Sequence, residues 1–172
     1  MARAKFSHVA IRGVCTELPQ GRIYLDDERS YYWSEVKVQK LKATVGLDAR
    51  AVVDSTTTPG DLMRSAANRL FLGMGIDKSS VDAVICVLDY PDHRCPPTSC
   101  ELHGKLGMPS TCLAFDINHG CAGYVYGLYV AHALIESCAA RRILLLVGDT
   151  KSKTINVRDR ISAPIFGDGA AA

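Results

Sequence analysis

Four apolar runs of strand length constrain the fold of this chain more than any other feature: 9–14, 83–88, 112–117 and 143–147. None alternates cleanly between polar and apolar positions, the pattern of central strands covered on both faces. Helical patterns lie between them. Asp26, Asp27 and Glu28 place acid at the start, and Lys37, Lys40 and Lys42 base at the end, of a helix predicted over Asp26–Lys42, with Gly46 just beyond. Leu62, Ala66 and Leu70 recur at helical spacing over Asp61–Leu72, entered through Pro59-Gly60 and stopped at Gly73. Two more helices are predicted over Thr98–Leu106 and Ala122–Cys138, the last with Val125, Leu128, Tyr129 and Ile135 on one side. The alternation of strands and helices defines an α/β class.

A length of 172 residues, 48% of them hydrophobic, fits one domain with a substantial core. Lys and Arg total 20 against 18 Asp and Glu, so a net charge of +2 gives no basis for nucleic acid or an acidic membrane as partner. No apolar run approaches the roughly 20 residues of a membrane span. Residues 1–8 offer no apolar signal segment, so the expected location is cytoplasmic. Ala163 to Ala172 reads as a Gly-rich turn entering another apolar strand, as though the sequence were cut rather than finished.

The seven cysteines are odd in number and lack CxxC spacing, which argues against a disulfide scaffold. His93, Cys95, Cys100 and His103 lie within eleven positions, but their spacing matches no common zinc site and Pro96-Pro97 stiffens the segment, so no metal is expected. Cys121 stands apart. It lies in Asp116-Ile117-Asn118-His119-Gly120-Cys121-Ala122-Gly123-Tyr124, between an apolar strand and a long helix. A thiol there meets unpaired N–H groups and the positive end of the helix dipole, which favour the reactive thiolate. Gly120 and Gly123 let a carbonyl approach the backbone, where N–H groups can stabilise an oxyanion. These residues suit acyl transfer through a thioester. His119 reads as a hydrogen-bonded structural imidazole and His132 as a core residue.

The stretch Asp116 to Leu128 resembles the active-site signature of the β-ketoacyl-acyl carrier protein synthase III family of thiolase-like condensing enzymes. Cys95-Pro96-Pro97-Thr98-Ser99-Cys100-Glu101-Leu102-His103 resembles that family's proline-initiated helix, and Thr44-Val45-Gly46-Leu47-Asp48-Ala49-Arg50 its T-G-I-x-x-R segment. Val147-Gly148-Asp149 and Phe166-Gly167-Asp168-Gly169-Ala170-Ala171 are similar in order and spacing.

The resemblance implies an N-terminal half of the thiolase fold over residues 1–172, a five-stranded mixed β-sheet between α-helices, with the C-terminal half absent. It implies an acyltransferase in which Cys121 accepts an acyl primer and condenses it decarboxylatively with malonyl-acyl carrier protein, in fatty acid or polyketide biosynthesis. The family's His and Asn belong to the second half, so this half alone is expected to be inactive. No cofactor is implied; acyl-coenzyme A or acyl carrier protein thioesters are substrates. Gly167 and Gly169 shape the backbone, and Cys95 helps to form the acyl pocket. Lys40 and Thr44 stand where some members carry a coenzyme A clamp, Trp33 is no evident substitute, and Lys37, Lys40 and Lys42 offer a surface to an acidic carrier protein. Implied partners are acyl carrier protein and either a second copy, as a homodimer, or a hetero-oligomer chain supplying the missing half. That half would cover the apolar side of the helix after Cys121. A non-catalytic partner subunit of a condensing enzyme, or an acyltransferase without decarboxylation, fits the same residues.

Overall fold

The structure, a computed structural model, describes residues 3–28, 34–159 and 161–172. Its strands are β1 (Thr16–Glu17), β2 (Gly21–Tyr24), β3 (Ala49–Val52), β4 (Ala83–Val87), β5 (Leu113–Ile117), β6 (Ile143–Thr150) and β7 (Asp168–Ala171). Its helices are α1 (Glu35–Val45), α2 (Pro59–Met74), α3 (Thr98–Leu106) and α4 (Gly123–Glu136). Five strands form one mixed sheet in the order β1-β7-β6-β4-β5, while β2 and β3 form a separate antiparallel ribbon. Strand β4 is parallel to both β5 and β6, and β7 runs antiparallel between β6 and β1.

The two faces of the sheet are packed differently. Val84 and Cys86 of β4 and Leu146 of β6 join Leu62, Met63 and Phe71 of α2 and Leu102 and Leu106 of α3 in the main core. Each large side chain fully buried there contributes about 1.5–3 kcal/mol. On the opposite face α4 approaches through Gly123, Gly127 and Ala131. A Cβ on Gly123 would come within 2.6 Å of Val87, and one on Gly127 within 2.7 Å of Val87 and 3.0 Å of Leu145. The large residues point away: Val125 and Tyr129, predicted to lie on the helix's apolar side, are 65% and 52% exposed.

Three expectations need correction. Residues 9–14 form no strand. Cys15 and Ala172 exchange N–H···O bonds of 2.9 and 2.8 Å, and the ladder goes no further, so 9–14 have no strand to pair with among the described residues. An apolar run alone does not make a strand; a partner must complete its hydrogen bonds. The helix predicted from Asp26 begins instead at Glu35; Leu25 to Glu28 form a turn, and 29–33, including Trp33, lie outside the described residues. The acids read as dipole partners are ion-pair partners: Asp26 binds Lys42 at 2.6 Å and Glu28 binds Arg50. Finally, α2 continues through Gly73 and stops at Gly75, whose φ of +60° provides the left-handed cap.

Candidate active site

Strands β4, β5 and β6 are parallel, so their carboxyl ends deliver three loops to one edge of the sheet, where open α/β sheets commonly carry their sites. The loop after β5 holds Cys121. Asn118 leaves the strand and its Nδ2 donates to the Asp89 carbonyl oxygen at 3.0 Å, tying this loop to the one after β4. Gly120 adopts a φ of +52°, the left-handed region that glycine enters without Cβ strain. A single 3₁₀ turn, Gly120–Ala122, then leads directly into α4.

Cys121 is exposed on that turn. No side chain caps α4: neither His119 before the 3₁₀ turn nor Ala122 before the helix makes a capping bond. The other helices entering this layer differ. Thr58 and Asp61 form a capping box on α2, and Asp92 Oδ1 accepts the Gly60 N–H at 3.0 Å. Asp116 accepts the Thr98 and Ser99 N–H groups of α3, each at 2.8 Å. Among these three helices only α4 starts with no carboxylate bonded to its first turn, and Cys121 lies in the turn that leads into it.

The remaining cysteines have other surroundings. Cys86 is buried in β4, and its thiol is pushed well up by burial and then by the charges of Asp116 and Asp92. Burial also pushes up Cys112. Cys95 precedes a cis peptide bond to Pro96 and is exposed, as is Cys100. Among the described residues no group of three or more His, Cys, Asp or Glu side chains is arranged to hold a metal ion. His103 Nε2 is engaged by the Pro109 carbonyl at 2.9 Å.

His119 is not the hydrogen-bonded imidazole expected. It is exposed, and its ring centroid lies 4.2 Å from that of Tyr126, one turn into α4. His132 is half-buried rather than in the core, with its ring 5.3 Å from that of Phe6. The spacing of Lys37, Lys40 and Lys42 does not translate into a uniform basic face, because Lys42 bridges Asp26 and Asp48. Those bonds hold its ammonium above the ordinary lysine value against the opposing cost of burial. Gly167 and Gly169 do permit close packing: a Cβ would meet Ala51 O at 3.0 Å and Leu18 Cδ2 at 2.8 Å, respectively. Between them, buried Asp168 accepts the main-chain N–H groups of Val53 and Ser152, each at 2.8 Å.

Sequence reasoning missed Asp89 and Lys151 and noted Asp149 only within Val147-Gly148-Asp149; the three form a cluster that reaches the Cys121 loop through Asp89. A groove of about 1250 Å³ lies elsewhere, between residues 9–14 and β6. Strand β6 pairs with β7 only over Val147 to Thr150, so this groove separates two edges that have no ladder partner among the described residues. It does not include Cys121.

A mixed sheet clad by helices, with a cysteine turn at the carboxyl ends of its parallel strands, has the architecture of the thiolase-like condensing enzymes. By sequence and fold the chain is similar to the 3-oxoacyl-(acyl-carrier-protein) synthase III family. The family model of that description matches residues 115–172. A Campylobacter jejuni protein named 3-oxoacyl-(acyl-carrier-protein) synthase 3 is 43% identical over 99% of this chain and 48% of its own length. The Neisseria meningitidis β-ketoacyl-(acyl-carrier-protein) synthase III is 31% identical over 96% of this chain and 51% of its own. The crystal structure of the Burkholderia xenovorans 3-oxoacyl-(acyl-carrier protein) synthase superposes with a TM-score of 0.88 at 37% identity, covering 92% of this chain and 45% of that one. The chain thus spans about half the length of the relatives it matches.

Proposed function

We propose that this chain is the nucleophile-bearing half of a synthase III-like condensing enzyme and that Cys121 is its acyl acceptor. The observation that carries the reading is the exposed Cys121 sulfur at the uncapped start of α4, one residue after a glycine with φ of +52°. In the first step the Cys121 thiolate attacks the carbonyl carbon of an acyl thioester. Main-chain N–H groups at the start of α4 stabilise the oxyanion, the bond to the carrier sulfur breaks, and the carrier leaves as a thiol after taking a proton. In the second step a malonyl thioester on acyl carrier protein loses CO2. The electron pair released attacks the acyl carbon, forming the new C–C bond and expelling Cys121 as thiolate. Donors for the enolate oxygen come from the other half of the enzyme, supplied by a covalent extension or a separate chain.

The acyl donor is an acyl-coenzyme A or acyl carrier protein thioester, no further cofactor takes part, and the setting is fatty acid or polyketide assembly in the cytoplasm. No helix among the described residues is long and apolar enough to cross a membrane. The exposed face of α4, with Val125 and Tyr129, suits association with a second copy or with the other half.

The test is intact mass after brief exposure to an acyl-coenzyme A or acyl carrier protein thioester, followed by peptide mapping. One acyl group on Cys121, absent from Cys121→Ala, is the expected result. An unlabelled Cys121 when the other half is supplied would overturn the reading.

A further inference from the structure

Beside the cysteine turn lies a charge cluster built from residues about 60 positions apart. Asp89, just after β4, donates its main-chain N–H to Asp149 Oδ2 at 2.9 Å. Its carboxylate is paired with the Lys151 ammonium, which also lies 3.6 Å from Asp149 Oδ2 and 4.4 Å from the Tyr90 ring centroid. Asp89 then reaches the cysteine turn twice. Its carbonyl oxygen accepts from Asn118 Nδ2 at 3.0 Å, and its Oδ1 sits 3.9 Å from where a Cβ on Gly120 would be. The three charged side chains are only 15–25% exposed, so they interact more strongly than surface charges do.

We propose that Lys151 is a positioning residue for the Cys121 turn: it neutralises the Asp89 carboxylate that abuts Gly120 and ties the loop after β4, which Asn118 joins to the loop after β5, to the end of β6. Without the ammonium, an uncompensated carboxylate stands next to the residue preceding Cys121 and opposes formation of a thiolate there. The cluster has the protonation state this needs. Burial opposes the Lys151 charge, but the Asp89 hydrogen bond and the charges of Asp149 and Asp89 outweigh it and raise Lys151 above the ordinary lysine value. The other ionisable groups around the turn are His119 on its own segment, Tyr124 and Tyr126 on α4 and Tyr90 on the loop after β4. None of them is paired with Asp89.

The inference deepens the proposed function and rests on it for its catalytic meaning, but its test does not require acyl transfer. The rate of alkylation of Cys121 by iodoacetamide, followed across pH by peptide mapping, gives a profile for each variant. Lys151→Met is expected to move that profile to higher pH by about one unit. Lys151→Arg keeps the charge and superposes on the wild type, and Asp89→Asn added to Lys151→Met moves the profile back. Asp89→Asn alone moves it to lower pH, which preserves the test should Lys151→Met fail to fold by circular dichroism. Overlapping profiles for the wild type and a folded Lys151→Met, or for the wild type and Asp89→Asn, would overturn the inference. So would a double variant displaced as far as Lys151→Met. Acyl labelling measured in parallel separates the two claims. A shifted profile with no acyl group on Cys121 removes the proposed function and leaves the role of Lys151; an acyl group with no shift does the reverse.

Discussion

The starts of α2 and α3 and the start of α4 are the same physical object, a set of unpaired N–H groups with a partial positive charge, put to different uses. At α2 and α3 that potential is consumed inside the protein by Asp61, Asp92 and Asp116. At α4 it is left open beside an exposed sulfur. The closed ends contribute stability, whereas the start of α4, whose Gly123 N–H is met only by the Gly120 carbonyl of the preceding turn, goes without a side-chain cap. Helix α1 also starts without a side-chain cap, but of the three helices packed on the five-stranded sheet only α4 does so, beside the residue proposed to carry the chemistry.

Disturbing a closed end has the largest expected effect. Asp116→Ala removes two charge-assisted bonds and leaves the Thr98 and Ser99 N–H groups unmatched, so urea unfolding is expected to show a loss of about 3 kcal/mol. The underside of the open helix comes next. Gly127→Val forces a side chain against Val87 and Leu145, and the loss is about 2 kcal/mol by the same measurement. Thr58→Ala dismantles the capping box of α2 and costs about 1 kcal/mol.

That last change also has a pH signature. Burial pushes the Asp61 carboxyl up, but the bonds from Thr58 and the nearby Arg64 charge outweigh it and hold the group below the usual carboxylate value. A carboxyl depressed on folding contributes stability above about pH 4, and this is lost as pH falls through the folded value. Thr58→Ala removes the side-chain bond to Asp61 but keeps the main-chain one, so it is expected to make the acid limb of stability below about pH 4 shallower without abolishing it, read from thermal melts across pH. The smallest effect on stability comes from making the open end resemble the closed ones. Ala122→Asp is expected to stabilise α4 by about 0.5 kcal/mol while slowing acyl labelling of Cys121, because the added charge competes for the helix end and disfavours the thiolate. Faster labelling in that variant would break the comparison.

Much of this arrangement is legible in the sequence because its causes are local. The apolar runs that became β4, β5 and β6 carry their own strand signal, and Thr98–Leu106 was bounded correctly by its proline entry and glycine exit. Cys121 is legible for the same reason, since a strand, two glycines and a helix surround it in sequence. What was not legible depends on contacts between distant positions. Residues 9–14 have a strand's composition but no neighbour to pair with, and the acids at 26–28 find Lys42 and Arg50 rather than a helix end. Asp149 ends the segment Val147-Gly148-Asp149, but nothing in the sequence ties it to Asp89 and Lys151; the parallel order of β4 and β6 brings the three together.

The seating of α4 has a consequence for the sulfur at its tip. The helix can settle deep against the sheet because hydrogen atoms, not methyl groups, lie beneath it at positions 123 and 127. The elevation of Cys121 above the strand ends is therefore encoded below and behind it, by the smallness of two residues packed against Val87 and Leu145. Bulk gained at either position would raise the Cys121 sulfur like a shim under a bearing, displacing it without altering anything in its immediate view.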